Sequence, residues 1–272
     1  MLAGGGTEVP NPRSLEPDRI SKIRVQHRAA IELAERILQL ANDFFTGRQL
    51  TCSDGELVAR LLCGLNGKVV ATFWSLLVLA ERGLPTSSLA RELLETLISI
   101  AYITKEDSAT RAQLYADSLI IQEIKDMNAR LSDPSSADVV TSQLQSRLQS
   151  DEARLVTVYG AQQVREMHSW KTWAGNFTLQ DMARCAGVPG LMYNLVYRVD
   201  SRAAHARDAG HYLEVRSPGA FAMRLPEQVE QHLMPMSSCV LLALKLIGEK
   251  LGVNRETELD ALMQEVQRVA DV

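Results

Sequence analysis

The fold is decided by the stretch "GELVARLLCGLNGKVVATFWSLLVLAERGLP", residues 55–85. Leu57, Leu61, Leu62, Leu65, Val69, Phe73, Leu76, Leu77 and Ala80 recur at steps of three and four, which draws an apolar stripe along a helix. "TCSDGEL" ahead of it supplies capping residues, and Gly83 and Pro85 end it. Its most apolar part, residues 69–80, is bracketed by Lys68 and Glu81 and is too short to cross a bilayer. It therefore reads as a helix buried in a protein core, with no membrane partner.

The same period extends in both directions. A first helix is expected from Asp18 to Phe45, a third from Thr86 through "SSLARELLETLISIAYIT", and a fourth from Asp107 or Ser108 to Leu131. "SDPSSAD" breaks the chain before a fifth helix that ends near Tyr159. The middle is irregular. "TLQDMARCAG" reads as a short capped helix ending at Gly187, and "PGLMYNLVYRVDSRAAHA" as another with Pro189 near its start. "GHYLEVRSPGAFAMRL" reads as a loop or a small extended piece. A long apolar helix follows, with Pro235 expected to kink or restart it, because proline lacks the helical donor and crowds the preceding turn. A final amphipathic helix closes the chain. The expectation is all-α: a single compact bundle of about seven to nine helices over residues 18–272, preceded by a mobile arm over residues 1–17 that is rich in glycine and proline.

Composition agrees with an ordinary globular protein. Of 272 residues, 46% are hydrophobic and 23% charged, and the net charge of −4 leaves no global basic footprint for nucleic acid. A local basic cleft remains compatible with that balance. Arginine outnumbers lysine 22 to 7, which allows bidentate contacts to carboxylates or phosphates, although a GC-rich genome gives the same excess. Cys52, Cys63, Cys185 and Cys239 form no C-x-x-C pair and no zinc-like set with histidine. They read as buried or inert thiols in a reducing cytoplasm. No phosphate-binding glycine loop and no G-x-S-x-G elbow occurs, and neither a cofactor nor a metal is expected.

One stretch concentrates chemistry: "YNLVYRVDSRAAHARDAGHY", residues 193–212. On a helix, Arg198 and Arg202 share a face. Tyr197, Ser201 and His205 form the adjoining ridge, and His205 lies two turns from Arg198. A cation, a hydroxyl and an imidazole thus fall on neighbouring strips. His211, Asp208 and Glu214 are too loosely spaced for a metal site, and His168 beside Trp170 and Trp173 reads as core packing.

Arg198, six residues and His205 fit the R-x(4–6)-H signature of the HEPN superfamily of helical nucleases. A wider pattern also resembles a bacterial family, domain of unknown function 5677. Trp173 and Gly175, the short helix with Met182, Ala183 and Gly187, and Tyr193, Tyr197, Arg198, Ser201 and His205 fall on its C-terminal signature. Arg91 and Glu95 fall on its R-x-x-x-E helix. The resemblance spans roughly residues 60–210 and implies an all-helical, HEPN-like fold. HEPN nucleases often carry Asn, Asp or His directly after the arginine, whereas here Val199 follows and Asp200 comes one later.

The superfamily implies a metal-independent endoribonuclease of a toxin or phage-defence kind. His205 would move the proton, Arg198 would hold the phosphate, Ser201 or Tyr197 would donate to it, and Asp200 would orient the imidazole. Arg91 and Glu95 either pair with each other or reach the 197–205 helix. A homodimer is expected, as is RNA as substrate and an antitoxin or defence-system protein as partner. The competing expectation is a non-catalytic helical module that binds a partner protein, a nucleotide or RNA through the same residues.

Overall fold

A computed structural model describes residues 12–132, 142–194, 213–217, 220–223 and 229–271. Among these, the helices are α1 (Pro12–Gln26), α2 (Arg28–Asn42), α3 (Glu56–Glu81), α4 (Ser87–Lys105), α5 (Ser108–Ser132), α6 (Ser142–Tyr159), α7 (Ala161–Met167), α8 (Leu179–Ala186), the single turn α9 (Gly190–Met192), α10 (Val229–Leu251) and α11 (Glu256–Ala270). A short antiparallel hairpin joins β1 (Leu213–Ser217) to β2 (Ala220–Met223), with Leu213 opposite Met223 and Val215 opposite Phe221. The protein is an all-α bundle carrying one small hairpin, the extended form of the piece expected there.

The centre of the bundle is α10, packed on α2, α3, α4 and α11. Leu233, Val240, Leu244 and Ile247 on α10 meet Leu62, Phe73 and Leu76 on α3 and Leu94, Leu97 and Ile98 on α4 in one continuous core. These positions are fully enclosed, and burying each such side chain stabilises the fold by about 1.5–3 kcal/mol. By length and composition α3 and the His232–Leu251 part of α10 are apolar enough to cross a membrane. In this bundle 44% and 67% of those windows are buried by neighbouring helices. At the head of α10, Nδ1 of the buried His232 lies 2.6 Å from Oγ1 of the buried Thr86, tying it to the start of α4.

The outer helices are arranged differently. α5 packs on α3 and α4, while α6 packs chiefly on α5 and α7. The contacts beneath α6 and α7 are two small apolar clusters separate from the main core. One joins Ile121, Leu155, Val164 and Met167, and the other joins Ile124, Met127 and Leu148.

Three local expectations change. The helix expected from Asp18 starts at Pro12, inside the segment read as an arm, with proline in the first turn where its missing donor costs nothing. The single helix expected to Phe45 is two helices, divided at His27 (φ −112°, ψ 30°). Backbone bonds from His27 N to Ile23 O and from Ile31 N to His27 O carry across the division, which is why no breaker residue marks it. Helix α10 runs unbroken through Pro235, so the restart expected as one alternative does not occur. Of the thiols, Cys239 is enclosed, and burial pushes it up to about 12, while Cys185 is exposed.

Candidate functional site

Of the residues singled out in the sequence, Arg91 and Glu95 stand on α4. Tyr197, Arg198, Asp200, Ser201, Arg202 and His205 lie outside the described residues, as do Asp208 and His211. The site that can be built is therefore the α4 surface and the segment that docks on it immediately before residue 195.

α4 is apolar on three sides and buries Ala90, Leu93, Leu94, Leu97, Ile98 and Ala101. Its remaining strip carries charge. Arg91 Nε donates to Glu95 Oε1 at 2.9 Å across one turn. Side-chain exposure is 29% and 41%, so the pair sits at the rim of the packed helix and reaches solvent. Lys68 Nζ on α3 lies 3.3 Å from Glu92 Oε1 on the flank of the same helix. An exposed pair in this setting adds little stability.

One turn beyond Glu95, Ser99 links this strip to the docked segment. Its Oγ donates to the Glu95 carbonyl at 3.0 Å and accepts from Trp173 Nε1 at 3.2 Å. A half-buried indole requires a partner for its N–H, and the hydroxyl on α4 supplies it. Trp173 then meets Tyr102 and Tyr115 edge-on, with ring centres at 5.5 and 5.0 Å. Arg111 lies 4.0 Å over the Tyr102 ring and donates from Nη1 to the Tyr102 carbonyl at 2.6 Å. Burial raises the Tyr115 hydroxyl above its ordinary value, against the opposing charge of Lys68.

From Trp173 the chain turns at Gly175, whose positive φ of 89° is a conformation that favours glycine. It then enters α8 through a capping box. Thr178 Oγ1 accepts from Asp181 N, and the Asp181 carboxylate accepts from Thr178 N and Thr178 Oγ1. These bonds from Thr178 hold the Asp181 carboxyl below its ordinary value. Met182 and Ala183 enter the main core. Gly187, left-handed at φ 77°, donates to Arg184 O while Val188 N donates to Ala183 O, which closes the helix. Lys105 Nζ donates to the Cys185 carbonyl at 2.6 Å, placing a cation at the negative end of α8. The chain next buries Tyr193 in the main core and sets Met192 Sδ 3.6 Å from Cys239 Sγ on α10.

Every described position of the tryptophan motif thus serves the fold. Trp173 anchors, Gly175 and Gly187 turn, and Met182, Ala183 and Tyr193 pack. Trp170 belongs to the small cluster beneath α6 and α7 and Trp173 to the main core, in line with the packing role expected of the pair. Sequence reasoning missed Ser99, Tyr102, Arg111 and Tyr115 as the seat of Trp173. The signal present in the sequence was the unmet N–H of a loop tryptophan. It also missed the buried Asp117 on α5, which accepts from Arg154 Nη2 at 2.8 Å, Tyr159 Oη at 2.7 Å and Gln113 Nε2 at 2.9 Å. Among the described residues, no group of three or more His, Cys, Asp or Glu is placed to hold a metal ion.

No curated protein and no solved structure matches the chain. One family model does, over residues 59–220, taking in the α4 ion pair, the tryptophan anchor and the whole stretch from Tyr197 to His205. By that match, over more than half its length, the chain belongs to the family of unknown function DUF5677.

Proposed function

We propose that this protein is an HEPN-like, metal-independent endoribonuclease of a toxin or phage-defence type, acting in the cytoplasm as a homodimer. His205 and Arg198 are the central residues, and Arg91 and Glu95 support them. The observation that carries the reading is the open ion pair on α4. A guanidinium and a carboxylate on an otherwise packed helix keep solvent access, and Ser99 ties the Glu95 turn to the tryptophan that anchors the segment leading to residues 197–205.

In the proposed reaction the ribose 2′-oxygen attacks the adjacent phosphorus and the bond to the 5′-oxygen breaks. The products are a 2′,3′-cyclic phosphate and a 5′-hydroxyl. His205 is proposed to take or supply the proton, a role open to an imidazole because its ordinary pKa lies near neutrality. Arg198 offsets charge growing on the phosphate oxygens, with Ser201 or Tyr197 donating and Asp200 orienting the imidazole. Arg202, four residues after Arg198 in the sequence, is the proposed second cation toward the phosphate. Because one histidine per chain is few for acid and base together, a two-fold pairing of sites is part of the reading. An antitoxin or defence-system protein is the proposed regulatory partner.

The test is RNA degradation by the full chain in EDTA, with circular dichroism confirming the fold of each variant. His205→Ala and Arg198→Ala are expected to lower the cleavage rate by about 10²–10⁴-fold. RNA left intact by the wild-type chain across a range of sequences, or cleavage unchanged in His205→Ala, removes the nuclease reading. A second reading is favoured by the purely structural roles of the described motif positions: a non-catalytic helical module that binds a protein, nucleotide or RNA. On that reading, His205→Ala alters affinity without any cleaved product in either protein.

A further inference from the structure

The outward face of α3 has no part in the fold or in the proposed reaction. Arg60, Gly64, Gly67, Ala71 and Trp74 are all exposed and follow one another at steps of four, three, four and three. They therefore make a single strip about 21 Å long at 1.5 Å per residue. Trp74 is 60% exposed, on a helix whose opposite side forms the core. With the partly exposed Leu38 and Val70 beside it, its ring belongs to a continuous apolar patch and is not an isolated surface side chain. Beside it a groove of about 330 Å³ runs between α2 and α3. Leu38, Val70 and Trp74 form its apolar part, and Glu35, Gln39 and Asn42 its polar rim. An apolar centre within a polar rim is the anatomy of a protein interface.

The two glycines sharpen this. Neither Gly64 nor Gly67 has a positive φ, and a Cβ on either would meet nothing within 4 Å. Neither backbone conformation nor packing inside the chain calls for glycine there. Yet glycine inside a helix is less favourable than alanine. A flat strip does allow the backbone of another helix to come close.

The geometry points to a second copy of this chain as the occupant, docked with its α3 antiparallel about a two-fold axis beside Gly67. Reversing the strip about Gly67 lays Arg60 opposite the partner subunit's Trp74, and Gly64 against the partner subunit's Val70 and Ala71. The strip thus carries both halves of a guanidinium–indole contact, one at each end, and a two-fold operation forms that contact twice. Arg60 is available for it: its partner within the chain is Glu56, at 3.7 Å, and both side chains are largely exposed. Lys68, on the flank of the strip, is drawn aside to Glu92. The two basic residues and the polar rim fit a protein partner better than acyl chains. The inference needs no catalytic residue of the nuclease reading, and this α3 contact is distinct from the two-fold pairing of His205 sites proposed there.

Sedimentation velocity on the full chain tests it. The wild-type chain is expected to dimerise at up to about 100 µM. Trp74→Ala and Arg60→Glu are each expected to weaken association by roughly tenfold or more, as befits a central aromatic anchor and its cation. Trp74→Phe is expected to weaken it less. The two-fold register has its own readout. Gly67→Cys faces open space and is expected to give a disulfide-linked dimer on mild oxidation, reversed by reductant, well above the level of the wild-type chain with its exposed Cys185. Overturning results are a wild-type chain that stays monomeric over the whole range, a dimer indifferent to both Trp74→Ala and Arg60→Glu, or a Gly67→Cys chain that crosslinks no more than wild type. Trp74-dependent binding to phosphatidylcholine vesicles without self-association would assign the face to lipid and equally defeat the proposal.

Discussion

Asp117 shows what single side chains contribute. Its carboxylate is 1% exposed and accepts three hydrogen bonds, from Arg154, Tyr159 and Gln113. Replacing it with alanine leaves those donors without their acceptor, and Asp117→Ala is expected to lower stability by about 1–3 kcal/mol in urea unfolding. Arg154 is 44% exposed, so water absorbs part of its loss. Tyr159 adds a pH signature. Burial, the hydrogen bond to Asp117 and its negative charge push the phenol up to about 12. The folded state therefore holds this proton more tightly than the unfolded chain, whose tyrosine titrates near about 10. The stabilisation is complete below about pH 10 and fades as pH rises from there through about 12. Tyr159→Phe is expected to be less stable than wild type at neutral pH, with the gap narrowing over that alkaline interval. A gap that stays constant there would show that the phenol's proton is not coupled to folding. None of this was visible in the sequence, because Asp117 finds Arg154 and Tyr159 through tertiary packing across 37 and 42 residues. Arg91 and Glu95 were visible as a pair because a four-residue step on a helix is a local fact.

Among elements, legibility follows whether the signal is local. The stripe read along residues 57–80 is the buried side of α3, with Leu62, Leu65, Val69, Phe73, Leu76, Leu77 and Ala80 enclosed. The ends of α8 were equally plain: Thr178 and Asp181 stand at capping-box spacing, and Gly187 sits where a left-handed closing residue belongs. The division at His27 was invisible, since the hydrogen bonds hardly change across it. The continuity of α10 through Pro235 ran against the local rule that proline interrupts a helix, and α10 is also the helix packed on α2, α3, α4 and α11. Cap and closure on α8 permit a direct measurement. Thr178→Ala is expected to cost about 1 kcal/mol by loss of the N-cap acceptor. Gly187→Ala is expected to cost about 1 kcal/mol because alanine disfavours positive φ. The two ends do not touch, so their effects should add in the double variant. Denaturant midpoints unchanged by both substitutions would mean that α8 is held by Met182 and Ala183 alone.

At the scale of the whole molecule, the division between the main core and the two small clusters sets how the bundle opens. α3, α4 and α10 share one apolar interior, whereas α6 contributes Leu148 and Leu155, and α7 Val164 and Met167, to contacts centred on α5. Less apolar area holds the second group, and the Asp117 network is its main polar tie. Segments held this way open below the free energy of global unfolding. Native-state hydrogen exchange should therefore find the amides of α6 and α7 exchanging through a partial opening, at lower free energy than those of α10. Asp117→Ala should speed exchange in α6 and α7 further while leaving α10 unchanged until global unfolding takes over. Trp170 and Trp173 fall on opposite sides of this boundary, with Trp170 in a small cluster and Trp173 on the main core beside Ser99. The opening should accordingly release Trp170 while Trp173 stays seated, and the support it gives the Glu95 turn should persist. Equal exchange free energies for α6 and α10 in the wild-type chain would mean one cooperative unit and would refute this account. Trp173 becoming exposed together with α6 would break the proposed separation between a loose outer layer and a fixed seat for the site.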